Sequence, residues 1–314
     1  MINKRIIGRY TGDRRGPLLF IFGAMHGNET AGVHALDLLF KMLEVEPITN
    51  PKFSFKGRVL GLTGNMAAFK AGKRFIDQDL NRCWTIECID KAFHANKNSE
   101  VSEFSEIRSV IRIIRREIED YKPKKMAFLD LHTFSTTGGV FVLTPEDHES
   151  IIAGIELGIP VITGFTKGLH GTSVEYFNEE NLGLPTVSLS FECGQHKDPL
   201  SINRAIAAMI NCMKVVGCIG EEHIENQHND LLVEHSKNAP KLSRLLLKHL
   251  IKPGDGFVME PGFTNFQPVA KGTLLAKDIR GPIYAPFDGM ILMPLYQSLG
   301  EEGFFIVEPY EINS

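Results

Sequence analysis

Apolar runs that read as strands alternate with amphipathic helical patterns from residue 5 to about residue 217 of this 314-residue chain. This alternation favours an α/β architecture, in which helices cover a sheet. Strand-like runs occur at 18–22, 58–62, 125–131, 140–143, 161–163 and 186–191, and helical patterns at 33–43, 100–121 and 199–216. After Gly220 the chain becomes charged and polar, and from Leu242 onward short β runs are separated by Pro-Gly, Asp-Gly and Gly-Pro turn signals. We therefore predict a mixed sheet flanked by helices over residues 1–220, a connector over 221–241 and a small all-β domain over 242–314.

The stretch 23–32, Gly-Ala-Met-His-Gly-Asn-Glu-Thr-Ala-Gly, joins the first of these strands to the first helix. Its glycines allow the backbone to bend sharply. His26 and Glu29 lie three residues apart in this turn, and an imidazole with a carboxylate is a ligand pair that suits zinc. In the alternative interpretation the turn is an ordinary helix N-terminus, where Asn28 or Glu29 satisfies free backbone amides.

Polar residues also follow other strands. The loop 74–82, Arg-Phe-Ile-Asp-Gln-Asp-Leu-Asn-Arg, is too polar for a core element, and His132 directly follows the strand 125–131. Ligands of open α/β sheets bind at the carboxyl ends of the strands, so such residues can converge although they are far apart in sequence. His26, Glu29 and His132 would form a two-histidine, one-carboxylate set that leaves a fourth zinc position open, which is a catalytic arrangement. Alternatively, His132 is a core histidine, and Asp130 on the same strand face could orient it in either case.

Glu192 directly follows the near-continuous apolar strand 187–191. A carboxyl group in such a desolvated position has a pKa raised toward neutrality. It can then take a proton from an activated water and return it to a leaving amine. The alternative is a structural carboxylate that caps the following turn.

Two arginines flank the polar loop 74–82. Arg74 and Arg82 carry planar, permanently charged groups that suit a carboxylate or a developing oxyanion. In the alternative interpretation both form ion pairs with Asp77 or Asp79.

The helical pattern 100–121 has one apolar stripe and a strip of arginines on another face. The arginines are Arg108, Arg112 and Arg116, and the acidic residues that could balance them are Glu103, Glu106, Glu117 and Glu119. A basic strip can bind an anion, but we expect a solvated face of paired charges. In the polar segment 221–230, which contains His223 and His228, we likewise expect a solvated connector rather than a second metal site, because no apolar frame surrounds it.

The net charge of −4, with both signs distributed along the chain, gives no reason to propose nucleic acid or an anionic membrane as a partner. The N-terminus lacks the apolar core and cleavage site of a signal peptide, and no apolar run approaches the length of a membrane span. Five cysteines without paired short spacing fit a reducing compartment. We therefore expect a cytoplasmic protein.

Four motifs in this order form a specific set: His-Gly-Asn-Glu in the strand-to-helix turn, the loop 74–82, Asp-Leu-His at 130–132 and Phe-Glu-Cys-Gly-Gln-His at 191–196. With them the chain resembles, over nearly its whole length, the succinylglutamate desuccinylase and aspartoacylase family, itself related to the zinc carboxypeptidases. The resemblance implies a carboxypeptidase-like fold, one zinc ion per chain and hydrolysis of the amide bond of an N-acylated amino acid. It implies that His26, Glu29 and His132 bind zinc, that Glu192 is the general base and acid, that Arg74 stabilises the carbonyl oxygen, and that Asn81 and Arg82 bind a substrate carboxylate.

The chain departs from this family at one point. Members that act on acyl-aspartate have a further arginine shortly before the catalytic glutamate, whereas residues 172–191 contain no Arg or Lys here. The identity of the substrate's side chain therefore stays open, and the absence of this arginine argues against aspartoacylase itself.

The C-terminal segment 281–290, Gly-Pro-Ile-Tyr-Ala-Pro-Phe-Asp-Gly-Met, resembles the C-terminal domain of the same family. Through Ala-Pro-Phe-Asp-Gly it also resembles lipoyl and biotinyl carrier modules. Those modules need a lysine at a hairpin tip, and none stands next to Met290 or Met293. We therefore interpret this domain as a cover that narrows access to the zinc.

The sequence thus predicts a zinc-dependent amidohydrolase that acts on a small N-acyl amino acid; the acyl group, the amino acid and the oligomeric state, including a homo-oligomer, stay open. One alternative is a zinc carboxypeptidase that acts on short peptides and uses Arg82 for the terminal carboxylate. Another is a non-catalytic metal-dependent binding protein, against which the presence of Glu192 and Arg74 argues. A nucleotide-dependent enzyme is disfavoured, because the chain has neither a P-loop nor a dinucleotide glycine fingerprint.

Overall fold

A computed structural model describes residues 4–95, 101–165, 170–220, 224–237, 239–297 and 300–311. The strands are β1 (Ile6–Thr11), β2 (Arg14–Gly23), β3 (Lys56–Thr63), β4 (Met126–Phe134), β5 (Phe141–Leu143), β6 (Val161–Thr163), β7 (Thr186–Gln195), β8 (Leu242–Leu250), β9 (Val258–Met259), β10 (Gln267–Val269), β11 (Leu274–Asp278), β12 (Gly281–Tyr284), β13 (Gly289–Leu292) and β14 (Glu302–Pro309). The helices are α1 (Ala31–Thr49), α2 (Met66–Ala71), α3 (Ile86–His94), α4 (Ser102–Tyr121), α5 (His148–Glu156), α6 (Ser173–Tyr176), α7 (Glu179–Leu182), α8 (Leu200–Val215) and α9 (Asn229–Ser236). Within these described ranges, no helix is long and apolar enough to span a membrane.

Eleven strands form one mixed sheet in the order β1-β3-β2-β4-β7-β5-β6-β8-β14-β13-β10. Its central part, β3-β2-β4-β7, is parallel. Every residue of β4 is buried, because helices cover both faces of the sheet there. Apolar residues of α1 and α8 belong to one core cluster and those of α3 and α4 to another. The predicted α/β fold, a mixed sheet flanked by helices, is confirmed.

Four strands of the C-terminal part, β8, β14, β13 and β10, continue this sheet. β8 pairs in parallel with β6, with Leu242 opposite Val161, and pairs on its other side with β14. A second, antiparallel sheet consists of β12, β11 and β9. Between residues 242 and 311 the described residues form strands and no helix, in agreement with the predicted all-β C-terminal part. A domain boundary within residues 221–241 remains a prediction. Main-chain hydrogen bonds between β6 and β8 join the part of the chain before this segment to the part after it.

The connector contains a helix that the sequence pattern did not predict. α9 packs against α8, and its Leu232 is buried in the same core cluster as the apolar face of α8. His228 lies 3.2 Å from the side-chain nitrogen of Asn203 on α8. Residues 221–223, which include His223, lie outside the described residues, so the expectation of a solvated connector stays a prediction there.

Three glutamates of α4 are buried, so the expectation of a solvated face was wrong for them. They are Glu103, Glu106 and Glu117, whereas Glu119 is exposed. Glu106 pairs with Arg5, and Glu117 pairs with Arg58 at 2.8 Å. The charges that balance Glu106 and Glu117 therefore come from the N-terminal segment and from β3, not from the arginines of the same helix.

Candidate active site

Three adjacent parallel strands bring polar residues to one edge of the sheet. Gly23 of β2 lies opposite Leu131 of β4, and His132 of β4 lies opposite Glu192 of β7. β2 ends in a turn at Ala24, whose φ is +55°. This left-handed conformation is uncommon for a residue with a side chain, and such local strain is often found at functional sites. The carboxyl ends of β2, β4 and β7 therefore lie side by side, as the sequence argument required.

Two imidazoles and one carboxylate share a buried point at this edge. Nδ1 of His26 lies 2.8 Å from Oε1 of Glu29, and Nδ1 of His132 lies 3.1 Å from Oε2 of Glu29. One possible ligand atom from each of the three residues lies within 4.8 Å of the others. The three residues predicted as metal ligands are thus brought together, and their cluster could bind a metal ion.

Each histidine also has a carboxylate at its second ring nitrogen. Oδ1 of Asp79 is 3.0 Å from Nε2 of His26, and Oδ2 of Asp130 is 3.0 Å from Nε2 of His132. Asp130 additionally accepts a hydrogen bond from the hydroxyl of Ser173. Carboxylates in this position fix the orientation of an imidazole and make it a stronger ligand. Both rings therefore present Nδ1 to the same point, and the expected contact between Asp130 and His132 is present.

Negative charge accumulates around this point. Burial alone would raise the pKa of Glu29, but His26 and His132 outweigh it and hold the pKa of this carboxyl well below its usual range. Burial alone would lower the pKa of His132, but Asp130 and Glu29 hold it well above its usual range. Glu29 thus stays ionised and attracts positive charge. Such a donor set, with two nitrogens, an anionic oxygen and further carboxylates behind it, fits a divalent metal ion.

Glu192 lies beside the cluster on β7 with 5% of its surface exposed. Burial raises the pKa of Glu192 to about 7, the direction expected from its apolar strand. Its Oε2 atom is buried and has no hydrogen-bond partner among the described residues. A carboxyl group with this pKa can both accept and donate a proton near neutral pH, so the site provides what general acid-base chemistry needs.

The loop 74–82 carries both predicted arginines to the site, and both are paired. Arg74 donates from Nε and Nη2 to Oδ2 of Asp79 at 3.2 and 3.0 Å, which is one of the ion pairs that we considered. Arg82 donates from Nη2 to Oε1 of Glu302 on β14 at 2.6 Å. The alternative interpretation, an ion pair with Asp77 or Asp79, was therefore wrong for Arg82, whose partner is 220 residues away.

A buried glutamate holds this loop in place. Oε1 of Glu103 accepts a hydrogen bond from the amide of Ile76 at 2.8 Å, and Oε2 accepts from the amides of Asp77 and Gln78 at 3.1 and 3.3 Å. The loop satisfies its buried backbone donors in this way. Sequence reasoning missed this contact, because nothing local distinguishes Glu103 from the other glutamates of α4.

All the predicted site residues line one cavity of about 110 Å³. They are His26, Glu29, Arg74, Asn81, Arg82, His132 and Glu192. Oδ1 of Asn81 accepts a hydrogen bond from the amide of Ser173 at 2.8 Å, which holds the asparagine at the wall. Met293, Glu302 and Phe305 of the C-terminal part line the same cavity. No sequence pattern indicated these three residues beyond the general expectation of a cover, and the individual roles of the predicted residues stay predictions.

A mixed α/β sheet with a buried His-Glu-His cluster at the carboxyl ends of its strands places the chain in the class of α/β proteins with a candidate metal centre. Comparison with known proteins narrows this class. The profile of the succinylglutamate desuccinylase/aspartoacylase catalytic domain matches residues 15–214. The chain belongs to the succinylglutamate desuccinylase/aspartoacylase family.

Individual relatives are distant. A probable aspartoacylase of Nostoc sp. is 32% identical over 125 residues, which cover 39% of this chain and only 37% of that relative. A succinylglutamate desuccinylase of Pseudomonas aeruginosa is 24% identical over 280 residues, which cover 84% of this chain and 74% of that relative. The crystal structure of a succinylglutamate desuccinylase from Vibrio cholerae has a TM-score of 0.65 and 18% sequence identity, and the match covers 95% of this chain and 84% of that one. At this identity the structural likeness supports the fold alone.

Proposed function

We propose that this protein is a zinc-dependent hydrolase that cleaves the amide bond of a small N-acyl amino acid. The observation that carries the proposal is the convergence of the His26, Glu29 and His132 cluster with Glu192 and Arg74 on one cavity. Family membership supports it, since the relatives are named desuccinylase and aspartoacylase.

His26, Glu29 and His132 would hold one zinc ion, and Asp79 and Asp130 would orient the two imidazoles. When bound, zinc supplies a Lewis acid that polarises a carbonyl group and lowers the pKa of water. Two histidines and one carboxylate are a ligand set of catalytic rather than structural zinc sites, because the set leaves a position for a reactant.

Glu192 would move the proton. It removes a proton from the attacking water as the new C–O bond forms, and it gives this proton to the nitrogen as the C–N bond breaks. The products are a carboxylic acid and a free amino acid. The raised pKa of Glu192 and its unpartnered Oε2 support this role.

Arg74 and the pair Asn81 and Arg82 would act on the rest of the substrate. Nη1 of Arg74 is 3.6 Å from Oε1 of Glu29, so its positive charge lies next to the metal cluster, where it can stabilise a carbonyl oxygen that becomes negative. Asn81 and Arg82 at the cavity wall supply donors for the α-carboxylate of the amino acid.

The size of the cavity favours a small substrate over a peptide. At about 110 Å³ it lies below the range of about 300–1,000 Å³ that is common for ligand pockets. The residues Met293 and Phe305 further support the proposal that residues 242–314 act as a cover. We also propose a reducing, cytoplasmic location, which the five free cysteines support.

The test is a comparison of N-acyl amino acids with dipeptides on the purified protein, together with its metal content. We expect about one zinc per chain and faster hydrolysis of the N-acyl amino acids. Faster release of C-terminal residues from peptides would instead identify a carboxypeptidase. Metal-loaded protein that binds these compounds in a calorimeter without cleaving any of them would identify a binding protein.

A further inference from the structure

The second arginine of the cavity is already occupied by an acidic residue of the C-terminal part. Glu302 lies 2.6 Å from Nη2 of Arg82, with 22% of the Arg82 side chain and 11% of the Glu302 side chain exposed. Nη1 of Arg82 donates to the carbonyl oxygen of Asn81 at 2.7 Å. Each terminal nitrogen carries two hydrogens, so each keeps one N–H for a ligand. Arg82 is therefore a cation whose charge is largely balanced before any substrate binds.

The other cation of the cavity is balanced too. Arg74 forms two hydrogen bonds with Asp79, and no further Lys or Arg lines the cavity within the part of the chain that the structure describes. A ligand with one carboxylate can use the remaining N–H groups of Arg82. A second carboxylate in the same cavity would be desolvated without a cation of its own among the described residues, which is costly.

An apolar wall faces these paired charges. A register shift between Glu302 and Phe304 interrupts the regular alternation of β14, so that Glu302 and Phe305 both line the cavity. The ring of Phe305 lies 4.5 Å from that of Phe165, centroid to centroid. Phe134 and Met293 belong to the same apolar cluster and also line the cavity. The wall thus offers carbon surface rather than hydrogen-bond donors to part of the substrate.

We propose that the substrate is an N-acyl amino acid with a single carboxylate and an apolar acyl or side chain, and that Glu302 is the residue that disfavours substrates with more carboxylates. This inference rests on the proposed function. It adds a substrate class that the names of the relatives do not suggest.

Four compounds test the proposal: N-butyryl-norvaline, N-succinyl-norvaline, N-butyryl-glutamate and N-succinyl-glutamate. Within each matched pair a terminal methyl group is replaced by a carboxylate at nearly constant length. We expect kcat/KM for N-butyryl-norvaline to exceed that for N-succinyl-glutamate by at least about tenfold, the discrimination that a mismatched buried group produces. Equal or faster hydrolysis of N-succinyl-glutamate would overturn the proposal.

Binding separates this inference from the proposed function. The same four compounds are titrated calorimetrically into the zinc-loaded Glu192→Gln variant, which should bind substrates without cleaving them. If the wild-type protein cleaves none of the compounds, the proposed function fails. Tighter binding of N-butyryl-norvaline would still support the selectivity of the cavity, and tighter binding of N-succinyl-glutamate would contradict it.

Substitution of Glu302 tests whether the selectivity depends on this residue. Glu302→Gln should raise the ratio of kcat/KM for N-succinyl-glutamate to that for N-butyryl-norvaline by about tenfold, because removal of the Glu302 charge leaves Arg82 as an unbalanced cation, which favours a ligand with three carboxylates over a ligand with one. Glu302→Asp keeps the charge and should retain the wild-type preference. Glu301→Gln is the matched control, since Glu301 is 70% exposed and 4.0 Å from Nε of Arg82. An unchanged ratio in a folded Glu302→Gln variant would rule out the role of Glu302.

Discussion

The carboxylate of Glu103 on α4 accepts a hydrogen bond from the amide of Ile76, 27 residues earlier in the chain, at 2.8 Å. Through this contact and two more, a helix on one face of the sheet fixes the loop that carries Arg74, Asn81 and Arg82. The side chain of Glu103 has no measurable exposure. A residue that does not line the cavity thus helps to hold the loop on which three residues of the site lie.

We expect Glu103→Gln to damage both stability and function. The amide group of glutamine turns a donor toward backbone donors, so part of the loop loses its acceptor, which should cost about 1–3 kcal/mol of unfolding free energy. Because the loop would then hold Arg74 and Arg82 less firmly in position, kcat/KM should also fall. Urea unfolding and steady-state kinetics measure the two effects. Glu119→Gln, at an exposed position of the same helix, is the control, and a variant that matches this control in both measurements would contradict the role of Glu103.

We expect Glu192→Gln to remove activity and keep the metal. Loss of a general acid-base group should reduce kcat by about 10²–10⁴-fold, whereas zinc content should stay near one per chain because Glu192 is not among the proposed ligands. Metal analysis and a hydrolysis assay on the same preparation check this outcome. Full activity in the variant would show that another group transfers the proton.

We expect Asp130→Asn to weaken metal binding. Asp130 lies 3.0 Å from Nε2 of His132, and loss of such an orienting carboxylate typically reduces metal affinity by about 10–100-fold. Competition with a zinc chelator measures the change. Asp37→Asn serves as the control, because Asp37 only pairs with Lys41 on the surface of α1. Equal zinc affinity in both variants would contradict an orienting role of Asp130.

We expect the stability of the protein to fall in mildly acidic solution, partly because of His235 on α9. Nε2 of His235 accepts a hydrogen bond from Nη2 of Arg204 at 2.9 Å, which requires the neutral ring. Burial lowers the pKa of His235 and Arg204 lowers it further, against the weaker effects of Asp198 and Glu234. The unfolded chain therefore binds the proton more readily, and this stabilisation is present above about pH 6.5 and is lost as pH falls toward the lower pKa of the folded state.

Thermal unfolding between about pH 5 and 8 tests this point. In His235→Gln the side-chain oxygen can still accept from Arg204 but does not titrate, so the decrease of Tm at acidic pH should be smaller than in the wild-type protein. His34→Gln, at an exposed position of α1, should retain the wild-type dependence. The same pH dependence in all three proteins would exclude His235 as a contributor.

The sequence was informative where structure is local. Buried parallel strands appear as continuous apolar runs, so the ends of β2, β4 and β7 could be located, and the polar residues that follow them could be grouped by the rule that ligands bind at strand ends. This is why His26, His132 and Glu192 were found together although they lie at or just beyond the ends of different strands.

The residues that the sequence did not reveal act through contacts between distant segments. Glu302 meets Arg82 only because β14 and the loop 74–82 come together in the fold, and Glu103 differs from an exposed glutamate only by the backbone amides that surround it. Neither contact produces a periodic pattern in the sequence from which it could have been predicted. The helix α9 was missed for a similar reason, since it is short and polar and its position depends on packing against α8.

The parallel pairing of β6 with β8 limits how a ligand can reach the cavity. Because β14 of the cavity wall is joined to β7, which carries Glu192, through the paired strands β8, β6 and β5, that wall cannot swing outward as a rigid lid unless a ladder of backbone hydrogen bonds breaks. Admission of a reactant should instead depend on rotamer changes of side chains that line the cavity, above all those of Phe305 and Glu302. Access and selectivity would then be controlled by the same two side chains.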